Sequence, residues 1–263
     1  MTASASTEAS RGGDAGAARS VRDRLIVALD VPDLRTAESH MDRLGDGVLW
    51  YKVGLQLFCA TGRETLRAVA ARGKRIFLDL KLHDIPATVE KAVRALEGLP
   101  VSLLTVHAAG GPEMIAAAAR AARAIGPEES RPRILGVTML TSLHGNEIPS
   151  LWHPETGLED KVLGLALLAA NSGADGVVAS PLELAALRRQ HAAPFLIVTP
   201  GIRGAADAAH DQKRTMSIGE AFALGASYVV VGRPLLEAAD PAQVLASYEA
   251  AVRAGTLSER SHG

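Results

Sequence analysis

Apolar residues in this chain collect in eight short runs that recur along its length. Each run is rich in leucine and β-branched residues, and its apolar positions follow one another without regular alternation with polar ones. Such a run is typical of a parallel β-strand, because a strand covered on both faces buries all of its side chains. The predicted strands are 24–30, 48–54, 75–81, 102–108, 133–139, 175–180, 195–200 and 228–232.

The segments between these strands have helical spacing, as in EMIAAAARAARAI (113–125) and PLELAALRRQ (181–190). Eight alternating strand–helix units predict an α/β fold, a single-domain (β/α)8 TIM barrel. A doubly wound open sheet is the alternative. No GxGxxG turn follows the first strand, which disfavours the dinucleotide-binding form of that sheet.

The chain is expected to form one domain, because no linker-like stretch divides it. We place the barrel domain at 21–253, with a disordered N-terminal tail at 1–20 and a C-terminal tail at 254–263. The first tail lacks the apolar core of a secretory signal. No stretch is long and apolar enough to span a bilayer, so we expect a cytoplasmic protein without a membrane partner.

Composition narrows the class of ligand. Charges are nearly balanced, with 28 Lys and Arg against 29 Asp and Glu, and only 3% of residues are aromatic. There is no basic run, so we expect a small-molecule substrate and no nucleic-acid partner. The single cysteine, Cys59, has no partner for an internal disulfide, and its apolar neighbours favour a packed core thiol over a nucleophile.

Charged and polar residues collect where the predicted strands end. Asp30 ends the first strand, Lys52 lies near the end of the second, and His107 ends the fourth. The third strand carries Asp79 and Lys81. In a (β/α)8 barrel the carboxyl ends of all strands meet at one mouth, where active sites lie. The sequence therefore predicts a functional site at this mouth.

The stretch DLKLHD (79–84) supplies two carboxylates and a lysine within six residues. Side chains alternate along a strand, so Asp79 and Lys81 should point to the same side, with Asp84 in the loop above and Lys52 on the neighbouring strand. Lysines between two carboxylates would keep both ionised. A structural ion-pair network is the alternative, but charges at a barrel mouth favour chemistry, because their desolvation then serves a purpose.

A second group of residues, TPGIR (199–203), DQKRTMS (211–217) and VGRP (231–234), spans the ends of the last two strands. Barrel enzymes commonly bind phosphate there. Gly232 permits close approach of the backbone, and Arg233 can donate a forked pair of hydrogen bonds to phosphate. The alternative is a helix start with a solvated arginine. The loop GIRGAADAAH (201–210) is long enough to form a lid.

Taken together, these motifs closely resemble the orotidine 5′-phosphate decarboxylase family, from about Asp23 to Glu249. DLKxHDIPxT with YKVG upstream and TPGIR and GRP downstream is a specific combination. In order, the matching segments are VALDVP, YKVGLQLF, FLDLKLHDIPATV, TVHAAGG, GVTMLTS, VTPGIR, DQKR and VVVGRPLL.

The resemblance implies decarboxylation of orotidine 5′-monophosphate to uridine 5′-monophosphate, the last step of de novo pyrimidine synthesis, with neither metal nor organic cofactor. It implies that Lys52, Asp79, Lys81 and Asp84 form the charged array. Lys81 would protonate carbon 6 as carbon dioxide leaves, and Asp79 would lie beside the substrate carboxylate.

The resemblance also implies binding roles. Asp30 and Lys52 match contacts to the ribose hydroxyls, and Thr141 matches a pyrimidine contact. A homodimer is implied as well, in which one subunit completes the site of the other. The residues that match the phosphate contacts are Arg203, Gln212, Gly232 and Arg233, and those that match the contacts from the partner are Asp84, Ile85 and Thr88.

Two histidines lie in or near the motifs that carry the resemblance. We expect His83 to pack or bond within its loop, and His107 to line the pocket without binding metal.

Two rival functions remain. One is a metal-dependent sugar-phosphate decarboxylase or aldolase of the same superfamily. By resemblance, such an enzyme would carry an acidic metal ligand where this chain has Lys52. The other is a nucleotide-binding protein without catalysis, which would have lost part of the charged array.

Overall fold

The structure, a computed structural model, describes residues 20–143, 156–203 and 216–260, with 203 and 255–260 described for the backbone alone. Eight parallel strands close into a barrel in which each strand pairs with its neighbours in sequence and the last pairs with the first. The strands are β1 (Leu25–Leu29), β2 (Trp50–Gly54), β3 (Arg75–Leu82), β4 (Val101–His107), β5 (Arg133–Val137), β6 (Gly176–Val178), β7 (Leu196–Thr199) and β8 (Tyr228–Val231).

This architecture confirms the predicted (β/α)8 barrel. All eight predicted strands are present, and each observed end lies within two residues of the predicted one. Every residue of β1, β7 and β8 is buried, which is why these strands appear in the sequence as unbroken apolar runs. Outside the barrel, two short strands, Ile202–Arg203 and Met216–Ser217, pair in parallel.

Helices follow the strands around the outside. Asp33 begins one of them by accepting a hydrogen bond from the Thr36 N–H at 2.8 Å, and Ser217 with Glu220 forms a capping box at another. The helices are α1 (Val21–Arg24), α2 (Leu34–Leu44), α3 (Leu55–Thr61), α4 (Arg63–Ala71), α5 (Pro86–Arg94), α6 (Pro112–Ile125), α7 (Leu158–Asn171), α8 (Leu184–Gln190), α9 (Ile218–Ala223), α10 (Arg233–Leu236) and α11 (Pro241–Arg260).

The barrel interior is filled by its own apolar cluster, separate from the larger one between strands and helices. Trp50 and Tyr228 meet edge to face inside it, with ring centroids 5.0 Å apart. Inward-facing side chains of the strands continue from this cluster toward the carboxyl end of the barrel. The buried interior residues are Ile26, Ala28, Trp50, Phe77, Leu103, Leu135, Leu196, Val198, Tyr228 and Val230.

An ion pair joins two neighbouring strands at the amino end of the barrel. Arg131 precedes β5 and Asp175 precedes β6, and the guanidinium donates two hydrogen bonds to the carboxylate, of 2.9 and 2.6 Å. The Asp175 carboxylate also accepts the Ile134 N–H at 2.7 Å. Both side chains are largely buried, so this pair fixes the start of β5 against the start of β6.

Helix α11 continues past 253, where the predicted domain ends, and runs to Arg260. Residues 254–260 of the predicted tail are therefore helical, while the domain bounds themselves stay a prediction. Residues 1–19 and 261–263 of the two predicted tails lie outside the described residues. Within the part of the chain that the structure describes, no helix combines the length and apolarity that crossing a membrane requires.

Cys59 departs from the sequence expectation. Its thiol is exposed on α3, so the prediction of a packed core thiol is wrong. Among the residues of this helix, Leu57 is buried and Cys59, two positions later, faces solvent. Successive helical residues are turned by about 100°, so an apolar neighbourhood in sequence does not place every member on the buried face.

Candidate active site

A cavity of about 790 Å³ opens at the carboxyl ends of the barrel strands. It lies where the sequence predicts the functional site. Apolar side chains, including Phe77, Met139 and Ile202, form part of its wall. The predicted site residues that line it are Asp30, Lys52, Asp79, Lys81, Thr141, Gly232 and Arg233.

Asp79 lies at the centre of a row of alternating charges. Its Oδ2 is 2.9 Å from the Lys81 Nζ and 3.8 Å from the Lys52 Nζ, and the Lys52 Nζ is 2.7 Å from the Asp30 Oδ1. The side chains of Asp79 and Lys52 are 11% and 12% exposed, whereas that of Lys81 is 32% exposed. Two ammonium groups thus lie next to one largely buried carboxylate. Three members of the predicted array, Lys52, Asp79 and Lys81, thus lie together within one chain, with Asp30 rather than Asp84 as the fourth charge of the row.

The backbone at Lys81 is irregular. Its φ is 50°, a left-handed conformation, and no other described residue apart from glycine has a positive φ. Pairing between β3 and β4 shifts register between Leu78 and Leu82. Asp79 and Lys81 both reach the cavity as predicted, but a bulge in β3 places them there rather than the simple alternation of a regular strand.

Thr105 is a residue of this site that the sequence reasoning missed. Its hydroxyl donates to the Asp79 Oδ1 at 3.0 Å and accepts the Lys81 backbone N–H at 2.8 Å. The residue is fully buried on β4, one inward-facing position beyond Leu103. A threonine within the apolar run SLLTVH was the available signal, because a buried hydroxyl needs a partner.

Gly54 is a second missed residue. It ends β2, and a Cβ atom built on it would lie 3.0 Å from both the Asp30 Oδ1 and the Lys52 Nζ. Real Cβ atoms rarely come so close to other atoms. Glycine at this position therefore leaves the space that the Asp30–Lys52 pair occupies.

Three predicted site residues lie away from the cavity wall. Asp84 and Ile85 are in the loop before α5, and Thr88 is in its first turn. All three are exposed, and the Ile85 side chain is 67% exposed. Asp84 accepts the Ile85 N–H at 2.7 Å. Within one chain Asp84 is not brought to the cavity, and the roles assigned to these three residues stay predictions.

The predicted phosphate end is described in part. Arg233 begins α10 at the cavity edge, and a Cβ on Gly232 would make only ordinary contact, 3.6 Å from the Ala28 Cβ. Packing inside the barrel therefore does not itself require glycine there. The backbone of Arg203 pairs with Ser217. Gln212 and residues 204–210 of the predicted lid lie outside the described residues.

His83 and His107 stack beside the charged row, with ring centroids 5.1 Å apart and planes 17° from parallel. The His107 Nδ1 accepts the Ala109 N–H at 3.2 Å, so this ring orders the turn after β4. Burial, helped by the charges of His83 and Lys81, lowers the pKa of His107. Across residues 20–143, 156–203 and 216–260, no cluster of three His, Cys, Asp or Glu side chains is suited to a metal ion.

Comparisons with known proteins show similarity over most of this chain. The sequence model of the orotidine 5′-phosphate decarboxylase / HUMPS family matches residues 23–248. An orotidine 5′-phosphate decarboxylase of Moorella thermoacetica is 48% identical over 222 residues, covering 84% of this chain and 88% of that protein. One from Rhodopseudomonas palustris is 49% identical over 220 residues, covering 84% and 90%.

A solved structure is also similar. The crystal structure of orotidine 5′-phosphate decarboxylase from Lactobacillus acidophilus superposes with a TM-score of 0.75 and 38% identity, covering 88% of this chain and 97% of that one. The family match extends over nearly all of the barrel, and the relatives match most of their own length. This chain belongs to the orotidine 5′-phosphate decarboxylase / HUMPS family.

Proposed function

We propose that this chain is a carboxy-lyase that converts orotidine 5′-monophosphate to uridine 5′-monophosphate and carbon dioxide, the last step of de novo pyrimidine synthesis. The observation that carries the proposal is the row Asp30–Lys52–Asp79–Lys81 on the wall of the cavity. The relatives from Moorella thermoacetica and Rhodopseudomonas palustris carry the name of this activity. We expect the enzyme to act in the cytoplasm.

Lys81 is the proton donor in this proposal. When the bond between carbon 6 and the carboxylate breaks, its electron pair stays on carbon 6 and carbon dioxide leaves. The Lys81 ammonium steadies that charge and transfers a proton to carbon 6, and the amine then regains a proton from solvent. The contact of 2.9 Å with Asp79 holds the ammonium at the cavity wall, where such a transfer requires it.

Asp79 supplies a fixed negative charge beside the departing carboxylate of the substrate. The Nζ atoms of Lys81 and Lys52 lie 2.9 and 3.8 Å from this carboxylate. The Asp79 charge opposes the negative charge of the substrate carboxylate, and this repulsion is relieved when that group leaves as neutral carbon dioxide. Neither a metal nor an organic cofactor is needed for this step.

The remaining residues position the substrate. Asp30 and Lys52 would bind the ribose hydroxyls, and Thr141 the pyrimidine ring; all three line the cavity. The phosphate would be held by Gly232 and by Arg233, whose guanidinium suits two phosphate oxygens. Arg203 and Gln212 are proposed to complete the phosphate contacts. Binding energy from the phosphate can then be used at the distant reacting carbon.

A homodimer would explain the exposed residues beside the cavity mouth. Ile85 and Leu55 are large apolar side chains that are 67% and 54% exposed, and both follow strand ends at this face of the barrel. A partner subunit would cover them and receive Asp84, Ile85 and Thr88 in its own site.

The metal-dependent sugar-phosphate decarboxylase or aldolase of the same barrel superfamily remains the alternative. Lys52 argues against it. Its ammonium lies 2.7 Å from Asp30 and 3.8 Å from Asp79, where a divalent cation bound by these carboxylates would be repelled. A binding protein without catalysis is disfavoured, because the charged row and Arg233 are both present.

The first experiment follows the absorbance of orotidine 5′-monophosphate with purified protein in excess chelator. Conversion to uridine 5′-monophosphate that is insensitive to the chelator supports the proposal. Turnover of a sugar phosphate only with added magnesium would support the alternative. Tight binding of uridine 5′-monophosphate without turnover would support the non-catalytic protein.

The shared site is tested by mixing two inactive variants, Asp84→Ala and Lys81→Ala. If Asp84 acts in the partner's site, each mixed dimer contains one intact site, and equal mixing restores roughly a quarter of wild-type activity. Subunit exchange is verified with chains that differ in an affinity tag. Verified exchange without recovery of activity would place Asp84 elsewhere.

A further inference from the structure

We propose that Thr105 is a positioning residue for this reaction: its hydroxyl fixes the Asp79 carboxylate relative to the backbone of Lys81. The proposal rests on the function proposed above for Lys81 and deepens it. Thr105 does not line the cavity, so it would act on the substrate only through these two residues.

The hydroxyl of Thr105 joins the two groups directly. It donates its hydrogen to the Asp79 Oδ1 at 3.0 Å and accepts the Lys81 N–H at 2.8 Å. A hydroxyl has one donor, and here that donor is given to a carboxylate, which makes the stronger, charge-assisted kind of bond. The other carboxylate oxygen of Asp79 is left to bond the Lys81 ammonium at 2.9 Å. Thr105 thus fixes one oxygen of Asp79 and leaves the other for the Lys81 ammonium.

The strand pairing shows why a hydroxyl is needed at this place. Leu78 of β3 pairs with Leu104 of β4, and the next pair is Leu82 with Val106. Three residues of β3, 79–81, therefore lie opposite Thr105 alone. In this bulge the Lys81 N–H bonds the Thr105 hydroxyl in place of a carbonyl of the neighbouring strand. A left-handed lysine persists only where surrounding contacts fix it, and this bond is such a contact.

An apolar side chain of the same shape would remove both bonds. Thr105 is fully buried, and without its hydroxyl the Lys81 N–H and one Asp79 oxygen would lose the partner that they share. The bulge and the carboxylate would then be free to shift, and the ammonium with them. Proton transfer tolerates only small errors of placement, so the chemical step should slow while the distant phosphate contacts remain.

The test compares Thr105→Val with Thr105→Ser, which restores the hydroxyl. Thr138→Val is the matched control, because Thr138 is also fully buried and its hydroxyl donates to the Val178 carbonyl at 3.0 Å, away from the charged row. We measure kcat and KM for orotidine 5′-monophosphate and the Kd of uridine 5′-monophosphate. For Thr105→Val we expect kcat to fall about 10- to 100-fold, with KM and Kd within about twofold of wild type.

Recovery of most of the rate in Thr105→Ser, and a near-normal kcat in Thr138→Val, complete the expected result. The proposal is overturned if Thr105→Val keeps a kcat within about twofold of wild type, if the serine variant is as slow as the valine variant, or if product affinity falls as much as kcat. If the valine variant does not fold, Thr105→Cys, whose thiol bonds weakly, is judged by the same readouts. Absence of turnover in the wild type would instead refute the proposed function.

Discussion

At the amino end of the barrel, Arg131 and Asp175 form an ion pair whose polar atoms are directed into the protein, whereas at the carboxyl end Asp79 and its two lysines face an open cavity. The two clusters are alike in being ionic, largely buried and placed between neighbouring strands. At the amino end the carboxylate accepts two guanidinium bonds and a backbone N–H. This geometry pins strand ends together.

The carboxyl end differs in backbone and exposure. Lys81 is left-handed, and its side chain is 32% exposed against 8% for that of Arg131. Asp79 bonds the Lys81 ammonium on one side, and the Lys81 side chain lines the open cavity. Burial and pairing of charges therefore do not by themselves identify a functional site. The combination that does so here is a paired charge, an irregular backbone and an open cavity. Substitutions at the carboxyl end should accordingly lower activity, and substitutions at the amino end should lower stability.

Removing the lysine amine should give the largest effect on activity. We expect Lys81→Ala to reduce kcat by more than about 10³-fold, because proton donor and cation are lost together. Its far-UV circular dichroism and urea midpoint should stay close to wild type. Lys161→Ala is the control, since that ammonium bonds the exposed Thr156 carbonyl at 2.9 Å and does not line the cavity. A Lys81→Ala variant with a near-normal rate would rule out the assigned donor.

Breaking the pair at the amino end should have the converse result. Arg131→Ala leaves the largely buried Asp175 carboxylate without its cation, so the free energy of unfolding should fall by about 3 kcal/mol. The kcat of the folded fraction, measured well below the unfolding midpoint, should be unchanged. Urea unfolding and the decarboxylation assay check the two parts. A large loss of kcat with normal stability would contradict the division between the ends.

A third substitution crowds the Asp30–Lys52 pair at the carboxyl end. Gly54→Ala places a methyl group 3.0 Å from both polar atoms, so the pair must shift. We expect about a tenfold rise in KM, through the ribose contacts, with little loss of stability. Gly164→Ala on α7 is the control, because a Cβ at this position meets no atom within 4 Å. Unchanged KM in Gly54→Ala would remove Asp30 and Lys52 from the ribose site.

The smallest effect is a pH dependence from His107. Burial lowers its pKa in the folded state below the ordinary value of 6.5, so unfolding favours uptake of a proton by this residue at acid pH. Its contribution to stability is therefore complete above the unfolded pKa and declines as the pH falls below it. Urea unfolding at about pH 7.5 and pH 5.5 should show a smaller decline for His107→Gln than for wild type. Equal declines would show that other groups govern the acid side.

The sequence predicts the fold well because β1, β7 and β8 are buried along their whole length and the other strands in large part, which produces the apolar runs. It also predicts Asp30, Lys52, Asp79 and Lys81, because charges at strand ends contrast with these runs. Thr105 escapes prediction, since its importance depends on which residues of β3 lie opposite it.

The positions of Asp84 and Cys59 also depend on how the chain turns in three dimensions. Asp84 is close to Lys81 in sequence, yet within one chain it is exposed outside the cavity wall, and its role in a partner's site stays a prediction. The exposed thiol of Cys59 likewise depends on the direction in which α3 turns. Residue type and spacing predict which elements form, whereas bulges and loop directions depend on contacts between elements that are distant in sequence.

The left-handed backbone of Lys81 has a consequence for the evolution of this chain. A side chain in that conformation destabilises the fold by about 1 kcal/mol relative to glycine, which adopts it freely. As far as the backbone is concerned, thermal stability would thus favour glycine at position 81. A stabilised library of this barrel, screened without substrate, would show whether the 2.9 Å contact of the ammonium with Asp79 offsets that cost or whether the lysine is kept for its chemistry.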